Sequence, residues 1–272
     1  MNENNDKHIN DNNCLEVDNE DNENYNNNII SIQDAWLSYD GKTYVLKRIN
    51  ISMKRENNYV IIGPSGSGKS TLLKLINGMI LPSRGIVQVF RTRTTTNHRD
   101  KSFKPLRSKI GYIPQSLGLV KNRSVLENVL IGALPRLNRI TSLIGFPETE
   151  IDKAISALEM VGLSGKERRK AYMLSGGEKR RVAIARALVQ EPEILLADEI
   201  VSELDHSTAT DIMDLVMQTK KRLKITSVMI HHDIELALDC ADVVVILKDG
   251  CKIDEVRADQ VKPEEVLTRI RK

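Results

Sequence analysis

A glycine-rich segment of the chain carries the residue types that bind phosphate groups. It matches the pattern GxxxxGK[ST] and follows an apolar run, residues 59–62, that predicts a buried strand. Glycines let a backbone turn its N–H groups inward, and a helix predicted to begin near Lys69 adds a positive N-terminal dipole. We predict that Lys69 reaches the β- and γ-phosphates of a nucleotide and that the Ser70 hydroxyl ligates Mg²⁺. The predicted phosphate-binding residues are Gly63, Pro64, Ser65, Gly66, Ser67, Gly68, Lys69, Ser70 and Thr71.

Two adjacent carboxylates end a second apolar run, residues 194–197. An acid at this place in a phosphate-binding protein holds hydrated Mg²⁺, so we assign Asp198 to the metal. Glu199, one residue further along, is placed to polarise an attacking water. Adjacent acids at a strand end are usually only solvated, but after an apolar strand in a chain with this glycine-rich loop we favour the catalytic interpretation.

A second glycine-containing cradle, residues 174–178, precedes the two acids. It opens a predicted helix whose basic residues 179–181 we expect to be exposed. The chain has two cradles but only one phosphate-binding loop, so it holds one nucleotide for two cradles. A head-to-tail dimer resolves this mismatch, because the second cradle of each chain then meets the nucleotide of the partner. We predict that Ser175, with the backbone amides of Gly176 and Gly177, closes on the γ-phosphate held by the partner's loop.

Taken together, these motifs resemble the ATP-binding subunit of ABC transporters, over about residues 30–255. The resemblance implies an ATPase that uses ATP and Mg²⁺. It also implies that Gln115 contacts Mg²⁺ and water, and that His232 senses the γ-phosphate. Tyr39 occupies the place of an aromatic residue that stacks on adenine, and Asp205 lies in a loop that reaches across the dimer interface.

The chain departs from the family pattern in two places next to these residues. Ile200 and Val201 follow the two acids where the family usually has Pro-Thr, which changes the rigidity of the loop but none of its charge. His231 stands where the family usually has Ser or Thr, so either histidine could face the phosphate. The spacing to Asp233 favours His232.

An α/β P-loop NTPase fold must position these residues. Residues 30–37 and 44–53 predict two antiparallel strands around the turn at Asp40 and Gly41, and apolar strands with long helices follow. The resemblance implies a RecA-like core sheet with flanking helices, an antiparallel β subdomain and a helical subdomain inserted at about residues 116–173. We expect the whole ABC ATP-binding domain to span residues 29–272.

Composition separates the first 28 of the 272 residues from the rest. Residues 1–28 hold eight acids, one lysine and twelve asparagines, for a net charge of −7, whereas the remainder carries +10. We expect residues 1–28 to be disordered because they contain too few apolar residues to form a core. The chain has no apolar run long enough to span a membrane and no secretory signal, so we expect neither a spanning nor an exported protein.

The segment expected to contact a membrane partner favours one transport system. Residues 119–134 are similar to the matching stretch in phosphonate-import ATPases. We therefore expect an ATPase subunit of an importer of phosphonate-like or other small anionic solutes, peripheral to the cytoplasmic side of the membrane. Its expected partners are a second copy or a paired ABC ATPase, transmembrane permease subunits and an extracytoplasmic solute-binding protein.

The alternative is a soluble ABC ATPase that acts in assembly or on nucleic acid. The +10 body is compatible with nucleic acid, but aromatic residues make up only 4% of the chain, and no basic patch interleaved with aromatics is present in the sequence. A translation-type ABC protein would need two P-loops, and a repair-type protein would need a long coiled coil between Gln115 and Ser175. A GTPase would need an NKxD motif, which the sequence lacks. We therefore favour transport, without nucleic acid as a partner.

Overall fold

The computed structural model describes residues 28–95, 103–137 and 145–271. Strand β1 begins at Asn28, one residue before the domain boundary drawn from composition. Residues 1–27, on which the prediction of disorder falls, lie outside the described residues.

The described ranges contain ten strands and eight α-helices. The strands are β1 (Asn28–Ser38), β2 (Tyr44–Lys54), β3 (Asn58–Ile62), β4 (Arg84–Val89), β5 (Thr92–Thr94), β6 (Ile110–Ile113), β7 (Ile194–Asp198), β8 (Thr226–Ile230), β9 (Val243–Lys248) and β10 (Cys251–Arg257). The helices are α1 (Lys69–Ile76), α2 (Phe103–Ser108), α3 (Val125–Leu130), α4 (Glu148–Met160), α5 (Gly176–Leu188), α6 (His206–Leu223), α7 (Ile234–Cys240) and α8 (Pro263–Arg271).

A six-stranded sheet forms the core, in the order β10-β9-β3-β8-β7-β6. Its strands run parallel except for β10, which pairs antiparallel with β9. Every residue of β3, β7 and β8 is buried, as expected for parallel strands covered by helices on both faces. Because these strands are parallel, the segments that follow β3, β6, β7 and β8 all emerge at one edge of the sheet.

A second, antiparallel sheet has the order β2-β1-β4-β5. The predicted hairpin of β1 and β2 is present, and the carboxylate of Asp40 accepts the backbone N–H groups of Lys42 and Thr43 in its turn, both at 2.8 Å. These bonds, that from Thr43 above all, lower the pKa of Asp40 to about 2. Beside the turn, the rings of Trp36 and Tyr44 meet edge to face, with centroids 5.1 Å apart.

The segment between β6 and β7 supplies helices that pack on α5. Apolar residues of α3, α4 and α5 share one buried cluster with the core sheet. Arg136 fastens this helical region by an ion pair to Glu150 at 2.6 Å and a hydrogen bond to the Val189 carbonyl at 2.7 Å. The predicted α/β architecture, with its core sheet, antiparallel sheet and inserted helices, is confirmed. No helix in the described ranges has both the length and the apolar character needed to cross a bilayer.

Candidate functional site

The glycine-rich loop between β3 and α1 is shaped by close contacts that exclude side chains. A Cβ on Gly63 would lie 2.0 Å from the carbonyl oxygen of Leu247 in β9, so only glycine fits there. Gly68 has φ +97 and would press a Cβ against Leu46 at 2.7 Å. The loop thus lies closely packed between β2 and β9, and both packing and backbone conformation require glycine at positions 63 and 68.

Lys69 lies inside this loop and is only 5% exposed. Its Nζ donates to the carbonyl oxygens of Gly63, at 2.8 Å, and Pro64, at 2.9 Å. Burial lowers the pKa of Lys69, while the charges of Glu199 and Asp198 oppose the change. The ammonium group is therefore held where an anion seated in the loop would meet it.

The start of α1 offers hydrogen-bond donors to an anion. Its N-cap, Gly68, has no side chain to cap the first turn. Ser67 Oγ is buried without a hydrogen-bond partner in the described part of the chain. A bound phosphate would satisfy such groups, which fits the predicted role of the loop. Of the other predicted loop residues, Pro64, Ser65 and Gly66 are exposed, and Ser70 and Thr71 are half-buried.

Asp198 ends β7 directly opposite the loop. Ser70 Oγ donates to Asp198 Oδ1 at 3.0 Å, so two of the three predicted metal-binding residues are in contact. Burial raises the pKa of the Asp198 carboxyl, and the hydrogen bond from Ser70 opposes the change. A hydroxyl and a carboxylate are hard oxygen donors of the kind Mg²⁺ prefers, so the residues present fit the predicted ion.

Glu199 is the centre of a hydrogen-bonded group formed by three loops. Its Oε2 accepts a hydrogen bond from Gln115 Nε2 at 2.9 Å, and its Oε1 lies 2.5 Å from His232 Nε2. The Glu199 side chain is 13% exposed and that of His232 is 51% exposed. The three residues predicted to be catalytic, which follow β6, β7 and β8, are thus brought together at one edge of the sheet.

The two adjacent histidines have different environments. His231 is buried, and its Nδ1 accepts the backbone N–H of Asp233 at 3.0 Å. Burial lowers the pKa of His231, which favours its neutral form. His232, by contrast, contacts Glu199 and faces the site. Of the two histidines, His232 is therefore the one beside Glu199, and its switch role stays a prediction.

The second glycine cradle is the capped start of α5. Ser175 Oγ accepts the backbone N–H of Glu178 at 3.2 Å, and Glu178 Oε2 accepts the N–H of Ser175 at 2.8 Å, which completes a capping box. The hydrogen bond from Lys166 to Glu178, at 2.6 Å, is the main cause that lowers the pKa of Glu178 to about 2. The Ser175 hydroxyl acts here as an acceptor, so its own hydrogen remains to donate, next to the amides of Gly176 and Gly177.

The two remaining predicted contact residues lie at loop tips. Tyr39, in the turn between β1 and β2, is 62% exposed, as a ring that stacks on a ligand should be. Asp205 is the N-cap of α6 and accepts hydrogen bonds from Thr208 N at 3.0 Å and Thr208 Oγ1 at 2.7 Å. These bonds lower the pKa of Asp205, which favours its charged form. The residue is also exposed.

The expectation that residues 179–181 are exposed is wrong. All three are half-buried, and the two arginines donate to backbone carbonyls. Arg180 binds the carbonyls of Ile200 and Ser202, and Arg181 binds that of Val161. A buried backbone carbonyl without a hydrogen-bond partner costs free energy, and the guanidinium groups supply that partner. Because every residue has a backbone carbonyl, the residue type of the acceptor does not reveal the contact.

A strand, a glycine-rich loop and a helix, faced by two strand-end acids, define a P-loop nucleotide hydrolase, and the capped cradle on α5 is a second glycine-containing helix start. The model of the ABC transporter family matches residues 46–202. The chain belongs to this family and is an ATP-binding protein that hydrolyses ATP.

Relatives and solved structures agree with this assignment. The chain is 35% identical over 243 residues to the phosphonates import ATP-binding protein PhnC 2 of Cupriavidus metallidurans, covering 87% of this chain and 84% of that protein. It is 40% identical to PhnC 1 of Nostoc sp., covering 81% and 84%. It resembles the structure of cbiO1 from Clostridium perfringens, part of the ABC transporter complex cbiONQ, with a TM-score of 0.77, 32% identity, and 89% and 94% of the two chains covered. A dimer of the cassette MJ0796 bound to ADP and Pi gives a TM-score of 0.74 and 31% identity, covering 84% of this chain and 98% of that one.

Proposed function

We propose that the chain is the ATP-hydrolysing subunit of an ABC importer for phosphonates or similar small anionic solutes. It acts at the cytoplasmic face of a membrane, on permease subunits supplied with cargo by an extracytoplasmic binding protein. The convergence of Gln115, Glu199 and His232 beside the glycine-rich loop carries the catalytic part of this proposal. The names of relatives 35% and 40% identical over most of the chain support the cargo.

The glycine-rich loop binds the phosphates of ATP. The Gly63 and Pro64 carbonyls hold the Lys69 ammonium in place, and it turns to the β- and γ-phosphate oxygens when these arrive. The Ser67 hydroxyl, which has no hydrogen-bond partner among the residues that the structure describes, and the amides at the start of α1 complete the cradle. The exposed Tyr39 ring stacks on the adenine.

Glu199 polarises the water that attacks the γ-phosphorus. The water oxygen forms a bond to phosphorus as the bond to the bridging oxygen of ADP breaks, and the products are ADP and inorganic phosphate. Gln115 and His232 hold the two carboxylate oxygens of Glu199 and so fix the direction in which it accepts a proton. Ser70, Asp198 and Gln115 would hold Mg²⁺, which supplies positive charge to the phosphate oxygens when bound there.

Two chains act together in a head-to-tail dimer. The free Ser175 hydrogen and the amides of Gly176 and Gly177 close on the γ-phosphate in the partner's loop. Asp205 reaches towards the partner from the exposed start of α6. ATP thus holds the dimer closed, and its hydrolysis reopens it, which moves the permease.

Reconstitution with the permease tests the transport function. The chain is co-purified with its permease subunits, placed in proteoliposomes with ATP on the side of the chain, and supplied with binding protein and labelled methylphosphonate. We expect ATP-dependent uptake that Glu199→Gln abolishes. Uptake of phosphate alone would reassign the cargo. A chain that associates only with soluble partners, and whose ATPase rate ignores the permease, would instead be an ATPase outside transport.

Disulfide trapping tests the arrangement of the dimer. Cysteines are introduced at Ser67 and at Ser175 in a chain whose native cysteines have been replaced. With ATP and Glu199→Gln, we expect bridges between two chains. Bridges within one chain only would sink the head-to-tail arrangement.

A further inference from the structure

The loop that carries Glu199, residues 199–204, has an unfavourable backbone. Glu199 has φ 51 and Glu203 has φ 65, both in the left-handed region that favours glycine. A non-glycine residue keeps such a conformation only where its surroundings hold it. The direction of the Glu199 carboxylate therefore depends on what fixes this loop.

One guanidinium group holds the middle of the loop. Arg180 Nε donates to the Ile200 carbonyl at 2.7 Å, and Arg180 Nη2 donates to the Ser202 carbonyl. These two acceptors lie between the two left-handed residues. The Ile200 side chain is itself buried in the core, which also restrains the loop. The planar fork of arginine suits two fixed acceptors, whereas lysine offers a single point charge.

The same side chain is attached to the start of α5. Arg180 Nη1 donates to the carbonyl of Gly176 at 3.3 Å, in the first turn after the N-cap Ser175. The capping box of Ser175 and Glu178 stiffens this turn. Ser175 and the carbonyls that follow Glu199 are thus connected through Arg180 over fewer than two helical turns.

We propose that Arg180 is a positioning residue that couples the two nucleotide sites of the dimer. This inference rests on the proposed head-to-tail dimer, in which Ser175 serves the partner's ATP and Glu199 serves the chain's own. When Ser175 closes on the partner's γ-phosphate, Arg180 carries the movement of α5 to the 199–204 loop that it already holds, and so aims Glu199 at the water in its own site. Each site then hydrolyses efficiently only when the other holds ATP.

Arg181 is the matched control. It is the next residue of the same helix and is likewise half-buried, but its Nη1 donates to the Val161 carbonyl at 2.8 Å, away from the loop. Its loss removes an arginine–carbonyl bond and similar packing without touching residues 199–204. A general effect on stability should therefore be alike in Arg180 and Arg181 variants.

Steady-state ATPase kinetics test the coupling in Arg180→Gln and Arg181→Gln. For Arg180→Gln we expect kcat to fall about tenfold, KM for ATP to stay within about twofold, and the Hill coefficient to fall from near 2 towards 1. Arg181→Gln should keep the wild-type kcat and Hill coefficient. If Arg180→Gln does not fold, Arg180→Lys takes its place, and we expect the same pattern because lysine cannot hold both carbonyls.

Three results would overturn the proposal: an Arg180 variant with wild-type kcat and cooperativity, one that loses kcat but stays cooperative, or a non-cooperative wild type. Disulfide trapping between cysteines introduced at Ser67 and Ser175, with Arg180 unchanged, distinguishes a failure of the coupling from a failure of the proposed dimer. If bridges form between chains but the Arg180 variant is unaffected, only the coupling is wrong. If bridges form only within chains, the proposed dimer is wrong as well.

Discussion

The two glycine-rich helix starts of the chain are built in opposite ways. The start of α1 has a left-handed glycine as N-cap, an unpartnered buried Ser67 hydroxyl in the residues described, and Lys69 held by loop carbonyls. The start of α5 is closed on itself by Ser175 and Glu178. The first has donors left over for an anion, whereas the second has satisfied most of its own groups.

The difference separates a primary binding site from an auxiliary one. Phosphate binding at α1 relieves unsatisfied groups, so the gain is large and comes from one chain. In the proposed dimer, an anion at α5 would gain only the Ser175 hydrogen and the amides of two glycines, which would suffice once the partner chain has positioned the phosphate. Variants at the first start should therefore abolish function, whereas variants at the second should weaken stability or assembly.

The largest effect is expected from Lys69→Ala. It removes a charge-assisted contact to the phosphates and a charge that stabilises the transition state, so kcat/KM should fall by roughly 10⁴-fold or more. Calorimetry of ATP binding and steady-state kinetics measure the two contributions. Lys74→Ala, an exposed lysine of the same helix, is the control and should stay within about twofold. Unchanged affinity and turnover in Lys69→Ala would contradict the role of the α1 start.

Glu199→Gln should lower turnover by about 10²–10⁴-fold while leaving ATP binding intact. The amide cannot accept a proton, so the chain should form an ATP-dependent dimer that persists during gel filtration. Glu193→Gln is the control, because Glu193 lies just before the opposite end of β7 and pairs with Arg55 and Lys109. The base assignment fails if Glu199→Gln hydrolyses ATP at the wild-type rate or stays monomeric with ATP.

Glu178→Ala should lower the free energy of unfolding by about 1 kcal/mol, the usual value of a helix cap. The folded-state pKa of about 2 lies below the ordinary 4.5, so this stabilisation is present above about pH 4.5 and is lost as the pH falls towards 2. Urea unfolding at about pH 7 and about pH 3 should therefore give a difference between wild type and variant that shrinks with acid. Glu235→Ala, in the first turn of α7, offers a control without the capping box; an equal loss there would remove the distinction.

The smallest effect is expected from deletion of residues 1–27, which precede β1. A polar, acidic segment adds no core, so the melting temperature and the ATPase rate should change by no more than about 1 °C and twofold. A drop of several degrees would show that these residues pack against the basic body.

The residues at the sheet edge that carries the glycine-rich loop could be predicted, because they belong to motifs that are contiguous in the sequence. The run from β3 through the loop to α1 is local, and the predicted helix start near Lys69 matches the structure. The family resemblance implied that Gln115 contacts Mg²⁺ and water. Its hydrogen bond to Glu199 was not predicted, and the neighbouring parallel strands β6 and β7 explain it physically. Where the functional residues lie on one strand and the loop that follows it, the sequence is sufficient to predict their arrangement.

Contacts to distant backbone could not be predicted. Arg180 was predicted to be exposed, yet it holds the loop after Glu199. Arg186, for which no prediction was made, donates to the carbonyls of Leu117 and Gly118 beyond Gln115. A carbonyl acceptor is the same at every residue, so no residue type marks it. Of the antiparallel sheet, only β1 and β2 were predicted. Strands β4 and β5 follow α1 in the sequence and join the sheet by long-range pairing, which local residue patterns do not reveal.

The edge-to-face pair of Trp36 and Tyr44 gives the chain a built-in optical probe. Trp36 is the only tryptophan in the sequence, and the two rings flank the turn that carries Tyr39. The Trp36 indole beside this turn is half-exposed, and its Nε1 donates to Asp34 Oδ1 at 3.2 Å. Its emission should therefore change in wavelength and intensity when a base stacks nearby, so that nucleotide arrival can be followed in stopped flow without a label.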